Sequence, residues 1–276
     1  RASSGRGLDR ASSGRGLDRA SSGRGLDTGS SGRGPARESG LRVRRVTTTR
    51  AGGVSRPPFD SFNLGDHVGD DPATVARCRA SLSEQVGDGR PLLWLDQVHG
   101  AAGAQDFRPS HAEQPPQADA AVAFDDRHAC VILTADCLPV FFCDWRGTRV
   151  GLAHAGWRGL AGGVLEASIA ALGCPPDELM AWLGPAISNA QFEVGREVRE
   201  AFVALQPAAE SAFEPSPYRL GHYMADLYKL ARLRLERLGV AHVSGGHFCT
   251  ACEGRFYSHR RDNGVTGRMA SMIWIR

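Results

Sequence analysis

The fold class this sequence predicts is α+β, a single domain built on mixed β-sheets, and three observations carry the prediction. Four apolar runs follow one another between residues 119 and 155: DAAVAF, ACVILTA, PVFFCD and TRVGLAHA. Each is short and rich in branched or aromatic residues, as buried strands are. Helical stretches are interspersed among many short strands, which indicates a mixed α/β or α+β arrangement. Hydrophobic residues make up 42% of the 276 and charged ones 23%, ordinary for a globular chain with one substantial core. No apolar run approaches the roughly 20 residues that cross a bilayer, so no membrane segment is expected.

Residues 1–40 stand apart. RASSGRGLD occurs at 1–9, 10–18 and 19–27 and decays into GSSGRGPAR at 29–37. This Arg/Gly/Ser repeat has almost nothing to bury and predicts a disordered tail, leaving 41–276 as the folded domain. Residues 1–45 carry 11 Arg against 4 acidic residues, a net of +7; the chain is +3, so the remainder is −4. The folded part is mildly acidic and predicts no specific nucleic-acid surface. The tail also lacks aromatic residues to stack on bases. The seven cysteines are an odd, scattered set rather than a disulfide framework, and the tail has no apolar secretory core. Together these predict a reducing, cytoplasmic setting.

In chain order, LRVRRVTTT at 41–49 alternates as a strand does. The stretch 50–71 is rich in Gly, Pro, Asn and Asp and reads as a long irregular loop, a length that usually marks function or disorder. Asp71 as N-cap and Pro72 at the first helical position open a helix through about Val86. PLLWL at 91–95 is a short strand that delivers Gln97 and His99 at its end. Cys130 to Cys143 reads as a buried strand pair interrupted by Asp136, and Asp144-Trp145-Arg146-Gly147 as a hairpin turn. A helix follows at about 160–172, a strand running into a loop at 180–188, and a helix near 195–205. An amphipathic helix over 223–239 stops at Gly239, and the last strand is Met269 to Ile275.

Three motifs carry the chemistry: QVHG at 97–100, TADC at 134–137 and AHAGWRG at 153–159. His99, Cys137 and His154 offer two imidazoles and a thiolate, a set that suits zinc and leaves the fourth tetrahedral position open. Cys137 and His154 equally form a nucleophile and its base, so the residues alone leave two chemistries open. Asp136 lies in an apolar surrounding and needs a partner, for which a ligand imidazole is a candidate. Small residues around His154 let a bound molecule approach the backbone. CTAC at 249–252 has no second CxxC or histidine pair nearby and reads as ordinary reduced cysteines, an accessory metal or redox role being the alternative. Arg260, Arg261 and Arg268 cluster beside a Gly-rich turn, as a solvated face or an anion site would. His67 falls in the long loop, whereas His111, His128 and His242 read as surface or packing residues. No GxGxxG, P-loop or GxSxG motif is present.

With FNLGDHVGDD, ADAAV, TADCLPV, GPAIS, FEVG and FYSHRRDNGVTGRMAS, these motifs resemble, in kind and order, those of the YfiH-type family. Its members are named purine nucleoside phosphorylase, laccase-type polyphenol oxidase or peptidoglycan editing factor. The resemblance runs from about Arg44 to the C-terminus. It implies a layered α/β/β/α sandwich shared with cysteine hydrolases, and a metal site at His99, Cys137 and His154 holding zinc, or copper in its place. It further implies phosphorolysis of adenosine, inosine and methylthioadenosine and deamination of adenosine, with purine nucleosides and phosphate as partners. For that chemistry Asp136 is the candidate proton carrier, Arg158 and Arg261 the candidate phosphate holders, and Asn63 and Gln97 the candidate contacts to ribose or base. The laccase label fits less well, because multicopper oxidation needs several more histidine ligands than the others here organise. Two further readings stand beside it. One is a Cys/His amidase acting on amino-acyl peptidoglycan precursors, with Cys137 attacking the carbonyl and His154 relaying protons. The other is a copper- or zinc-binding protein without turnover.

Overall fold

The chain is described by a computed structural model over residues 17–18, 42–86, 89–100, 104–106 and 114–276. Most of the repeat tail, and His111, lie outside the described residues. Within the tail, Leu17–Asp18 (β1) is a short strand on a sheet edge.

Two sheets form the body. The five-stranded sheet runs in the order β1, β2 (Val43–Thr48), β14 (Met269–Ile275), β6 (Ala129–Thr134), β3 (Leu92–Leu93). The six-stranded sheet runs β13 (His242–Gly245), β9 (Leu179–Leu183), β7 (Leu138–Asp144), β8 (Val150–Ala155), β5 (Ala120–Ala123), β4 (Gln105–Asp106). A small third sheet joins β10 (Glu193–Val194), β12 (Tyr223–Ala225) and β11 (Phe213–Pro215).

The alternation along β6 shows how the layers stack. Cys130 and Ile132 pack with Phe141 and Leu152 of the six-stranded sheet, while Ala129, Val131 and Leu133 pack toward Cys78 and Leu82 of α1 (Pro72–Val86). Strands covered on both faces read as unbroken apolar runs, which is why these four were visible in the sequence. The far face of the six-stranded sheet, with Leu138, Val140 and Phe142, is covered by α3 (Val164–Leu172), α4 (Arg196–Leu205) and α5 (Leu227–Arg237). The order of layers is α/β/β/α, as the resemblance implied. Among the described residues, no helix is long and apolar enough to cross a membrane.

Three expectations are corrected. The Cys130–Cys143 stretch is not a strand pair: β6 pairs with β14 and β3, and β7 with β8 and β9. TADC is the crossover between the two sheets, turned by Asp136 at φ 92°. Two apolar runs with a short link cannot distinguish a hairpin from a crossover. The helix over 160–172 is two, α2 (Trp157–Gly162) and α3, broken at Gly163 with φ 99°. The helix over 223–239 begins only at Leu227, behind Asp226, whose carboxylate accepts from the Lys229 N–H at 2.9 Å. Asp71 caps α1 as expected, accepting from the Thr74 N–H at 2.8 Å.

Candidate active site

Antiparallel register between β7 and β8 sets Pro139 opposite His154 and Leu138 opposite Ala155. That register brings Cys137, just before β7, beside Gly156, just after β8. A Cβ at Gly156 would lie 2.9 Å from Cys137 Sγ and 3.9 Å from His154 Nε2, so only glycine leaves the space between thiol and imidazole open. His99 reaches the same place from the chain following β3, in a left-handed conformation with φ 58°. The rings of His99 and His154 meet edge to face with centroids 4.7 Å apart. The donor atoms of His99, Cys137 and His154 all lie within 4.8 Å of one another, the one such group of three or more among the described residues. A non-glycine residue at positive φ costs of order 1–3 kcal/mol and persists where its surroundings over-determine it. Two of the three such residues described, His99 and Asp136, are at this site.

Asp119 organises the trio. Its buried carboxylate accepts from His154 Nδ1 at 2.8 Å, the His99 N–H at 3.0 Å and the Gly100 N–H at 2.7 Å. With Nδ1 committed to a carboxylate, Nε2 is the atom turned toward Cys137. Burial works against ionisation of Asp119, but the hydrogen bonds from His154, Gly100 and His99 outweigh it and keep its pKa below the usual carboxylate range. Burial likewise opposes the Cys137 thiolate, yet His154 and His99 bring the thiol down to about 6. His154 moves the other way, to about 9 despite its burial, because Cys137 and Asp119 favour the imidazolium. Thiolate and imidazolium therefore face each other at neutral pH and titrate as a pair.

The trio opens on a cavity of about 830 Å³, within the size range of small-molecule sites. Asp136, Gln97 and Arg158 line it as well. Arg158 stacks on Trp157 with its guanidinium carbon 4.5 Å from the ring centre. The Gln97 amide exchanges hydrogen bonds with the backbone of Leu133 on β6, at 2.9 and 2.7 Å. Among the described residues, Asp136 makes no hydrogen bond to an imidazole. It accepts from Thr250 Oγ1 at 2.6 Å, Ser258 Oγ at 3.0 Å and the Arg260 N–H at 2.7 Å, which ties the 250–260 segment to the crossover. The carboxylate behind the imidazole is Asp119. It heads a wholly apolar strand, the same signal that singled out Asp136.

Asn63 and Arg261 do not line the cavity. Asn63 is buried, donating to Gly65 O and Asp70 and accepting from the N–H groups of Gly65 and Arg268. Arg261 spends its guanidinium on Asp262 and on the carbonyls of Thr250, Glu253 and Phe256. The cations that do line the cavity beside Arg158 are Arg260 and Arg268, and the imidazoles of His67 and His259 line it too. Nη1 of Arg260 is anchored on Gln191 O and Glu193 O, and Nη1 of Arg268 on Thr266 O and Gly267 O. Burial lowers the Arg268 pKa, and the negative charges of Cys137 and Asp136 oppose that shift.

The sequence profile of a family described as "Multi-copper polyphenol oxidoreductase laccase" matches residues 44–276. A protein of Pseudomonas aeruginosa named purine nucleoside phosphorylase is 54% identical over 236 residues, covering 85% of this chain and 94% of its own. Purine nucleoside phosphorylase YfiH of Escherichia coli is 46% identical over 84% of this chain and 94% of its own. Among solved structures, a Neisseria meningitidis protein of the same family superposes with TM-score 0.80 at 50% identity, over 86% of this chain and 95% of that one. YlmD of Geobacillus stearothermophilus superposes with TM-score 0.77 at 33% identity, over 85% and 92%.

Proposed function

The chain belongs to the YfiH family, and from that premise we propose that it is a purine nucleoside phosphorylase with zinc at His99, Cys137 and His154. Its substrates in this reading are adenosine, inosine and methylthioadenosine with inorganic phosphate, and adenosine is also deaminated. The observation that carries the reading is one cavity lined both by a soft-to-borderline donor trio and by Arg158, Arg260 and Arg268. Phosphorolysis needs cations that hold phosphate while its oxygen displaces the base at the ribose anomeric carbon. Guanidinium forks do this, and the backbone anchors of Arg260 and Arg268 fix their planes in advance. These two, with Arg158, replace Arg261 as the phosphate holders.

The donor set fits zinc. Two imidazole nitrogens and one thiol sulfur, already within 4.8 Å of one another, would hold the ion. When bound, zinc supplies a Lewis acid with one open coordination position. The protein's part is to hold Nε2 of His154 forward through Asp119, to keep Gly156 open beside Cys137, and to shield the site with Leu133, Ile187 and Phe192. Asp136 serves in this reading as the anchor of the 250–260 segment. Gln97 sets the edge of β6 and faces the bound nucleoside.

One observation favours a second reading. Cys137, His154 and Asp119 form a thiolate–imidazolium–carboxylate array, which suits a Cys/His amidase. The test is metal analysis of the whole protein paired with product detection from adenosine plus phosphate, on wild type and Cys137→Ala. The zinc reading expects about one zinc per chain and loss of both metal and turnover in the variant. Full phosphorolysis after chelation would overturn it. A covalent adduct on Cys137 from an amide substrate would establish the amidase, and tight metal binding with no turnover would leave a metal-binding protein.

A further inference from the structure

A second cysteine motif, outside the cavity just described, has chemistry of its own. Cys249 and Cys252 open on a separate cavity of about 620 Å³ that Lys229, Arg232 and Glu253 also line. They sit at the two ends of one tight turn, in which the N–H groups of Cys252 and Glu253 donate to Cys249 O at 3.2 and 2.9 Å. Such a turn holds its end Cα atoms within about 7 Å, close to the reach of a disulfide. The two thiols are near enough for each to perturb the ionisation of the other. No third metal-binding group stands with them among the described residues, so the pair lacks the ligands of a structural zinc site.

We infer that Cys249 and Cys252 are a redox-active dithiol, which a low-molecular-weight disulfide of the glutathione class closes to an intramolecular disulfide and excess thiol reopens. The exchange balances. The Cys249 thiolate attacks one sulfur of the reagent and expels the first thiolate. Cys252 gives its proton to that thiolate and attacks Cys249 Sγ, and the second reagent thiolate leaves and takes a proton from solvent. The dithiol is oxidised by two electrons, and one disulfide becomes two thiols.

Three features favour it. Cys252 is exposed and Cys249 half-buried, so a reagent reaches the pair. The turn is fixed before oxidation: Thr250, between the cysteines, donates its N–H to Ala186 O at 3.0 Å and its hydroxyl to Asp136, and Cys249 N–H donates to Glu253 at 2.9 Å. Little further ordering is needed to close the ring. The two thiols are also polarised in opposite senses. Partial burial opposes the Cys249 thiolate, but Ser188 and Cys252 outweigh it and lower its pKa, whereas Cys249 raises that of Cys252. A low-pKa attacking thiol beside a resolving partner is what selective exchange requires. Elsewhere, burial raises the thiol pKa of Cys130, Cys143 and Cys174.

The full chain is equilibrated in reduced and oxidised glutathione at stepped ratios, acid-quenched, digested with trypsin and weighed. The 238–255 peptide carries these two cysteines and no other. It should lose two hydrogens in one two-electron transition, and be more than half oxidised once the disulfide is in about tenfold excess. Cys252→Ser should accumulate the glutathione adduct on Cys249, at least about tenfold more than Cys249→Ser accumulates on Cys252. Cys137→Ala should leave the transition where it is. A peptide that stays a dithiol throughout, or that ends as a stable glutathione adduct in the wild type, overturns the inference.

Discussion

Replacing Asp119 by Asn keeps the side chain's shape and removes its charge, at a carboxylate that now accepts three hydrogen bonds. An amide offers one acceptor atom and one donor group, so at least one of the three donors would face an N–H instead of an oxygen. A hydrogen bond to a charged group contributes about 1.5–3 kcal/mol. At about 1.4 kcal/mol per factor of ten, loss of the bond that aims His154 corresponds to roughly 10–150-fold in affinity for an ion held by Nε2. Losses of outer-shell partners at metal sites are about 10–100-fold, which agrees. The assay is competition for zinc between the protein and a chromophoric chelator, with circular dichroism and a melting curve confirming that Asp119→Asn is folded. A folded variant that binds zinc within about threefold of wild type refutes the argument that Asp119 positions His154.

Alkylation of Cys137 by iodoacetamide in metal-free protein should be half-maximal near pH about 6. The sign follows from a lowered pKa: thiolate is present above that value and reactivity is lost as pH falls through it. A midpoint above 8 counts against the imidazole–thiolate pairing. Gly156→Ala should weaken zinc binding at least about tenfold with a melting shift under about 4 °C, because its methyl meets Cys137 Sγ rather than the core. Unchanged zinc affinity would show that the gap has other occupants. Arg261→Met should cost stability, about 2–3 kcal/mol, and leave KM for phosphate alone, while Arg268→Met should raise that KM about tenfold with little change in melting. The reverse pattern would return the phosphate to Arg261.

Elements whose identity is written locally were legible. β14 matches its expected span, β5 to β8 fall within two residues of theirs, and α1 starts at Pro72, behind Asp71, as expected. What escaped depends on distant partners. β10 to β12 have two or three residues each and exist only through pairings such as Glu193 with Met224, so YMA at 223–225 looked like the first turn of α5. His99, Cys137 and His154 were recognisable because residue type and strand-end position coincide, and the fold does bring them together. Nearness to a motif says nothing of side-chain direction, which is why Asn63 and Arg261 turn inward to tie loops while Arg260 and Arg268 face the cavity. Asp119 and Asp136 are both acids against apolar strands, and only the fold shows which of them stands behind His154.

The sheet crossovers give this site a mechanical meaning. Cys137 lies where the chain passes from β6 in the five-stranded sheet to β7 in the six-stranded one, and His99 where it passes from β3 to β4, again from the first sheet to the second. His154 belongs to the six-stranded sheet itself. An ion gripped by all three would act as a rivet through the seam of the sandwich. Occupancy at a hundred times Kd would then add about 2.7 kcal/mol of resistance to unfolding, and loosening of the two sheets would open the coordination sphere before it exposed the core.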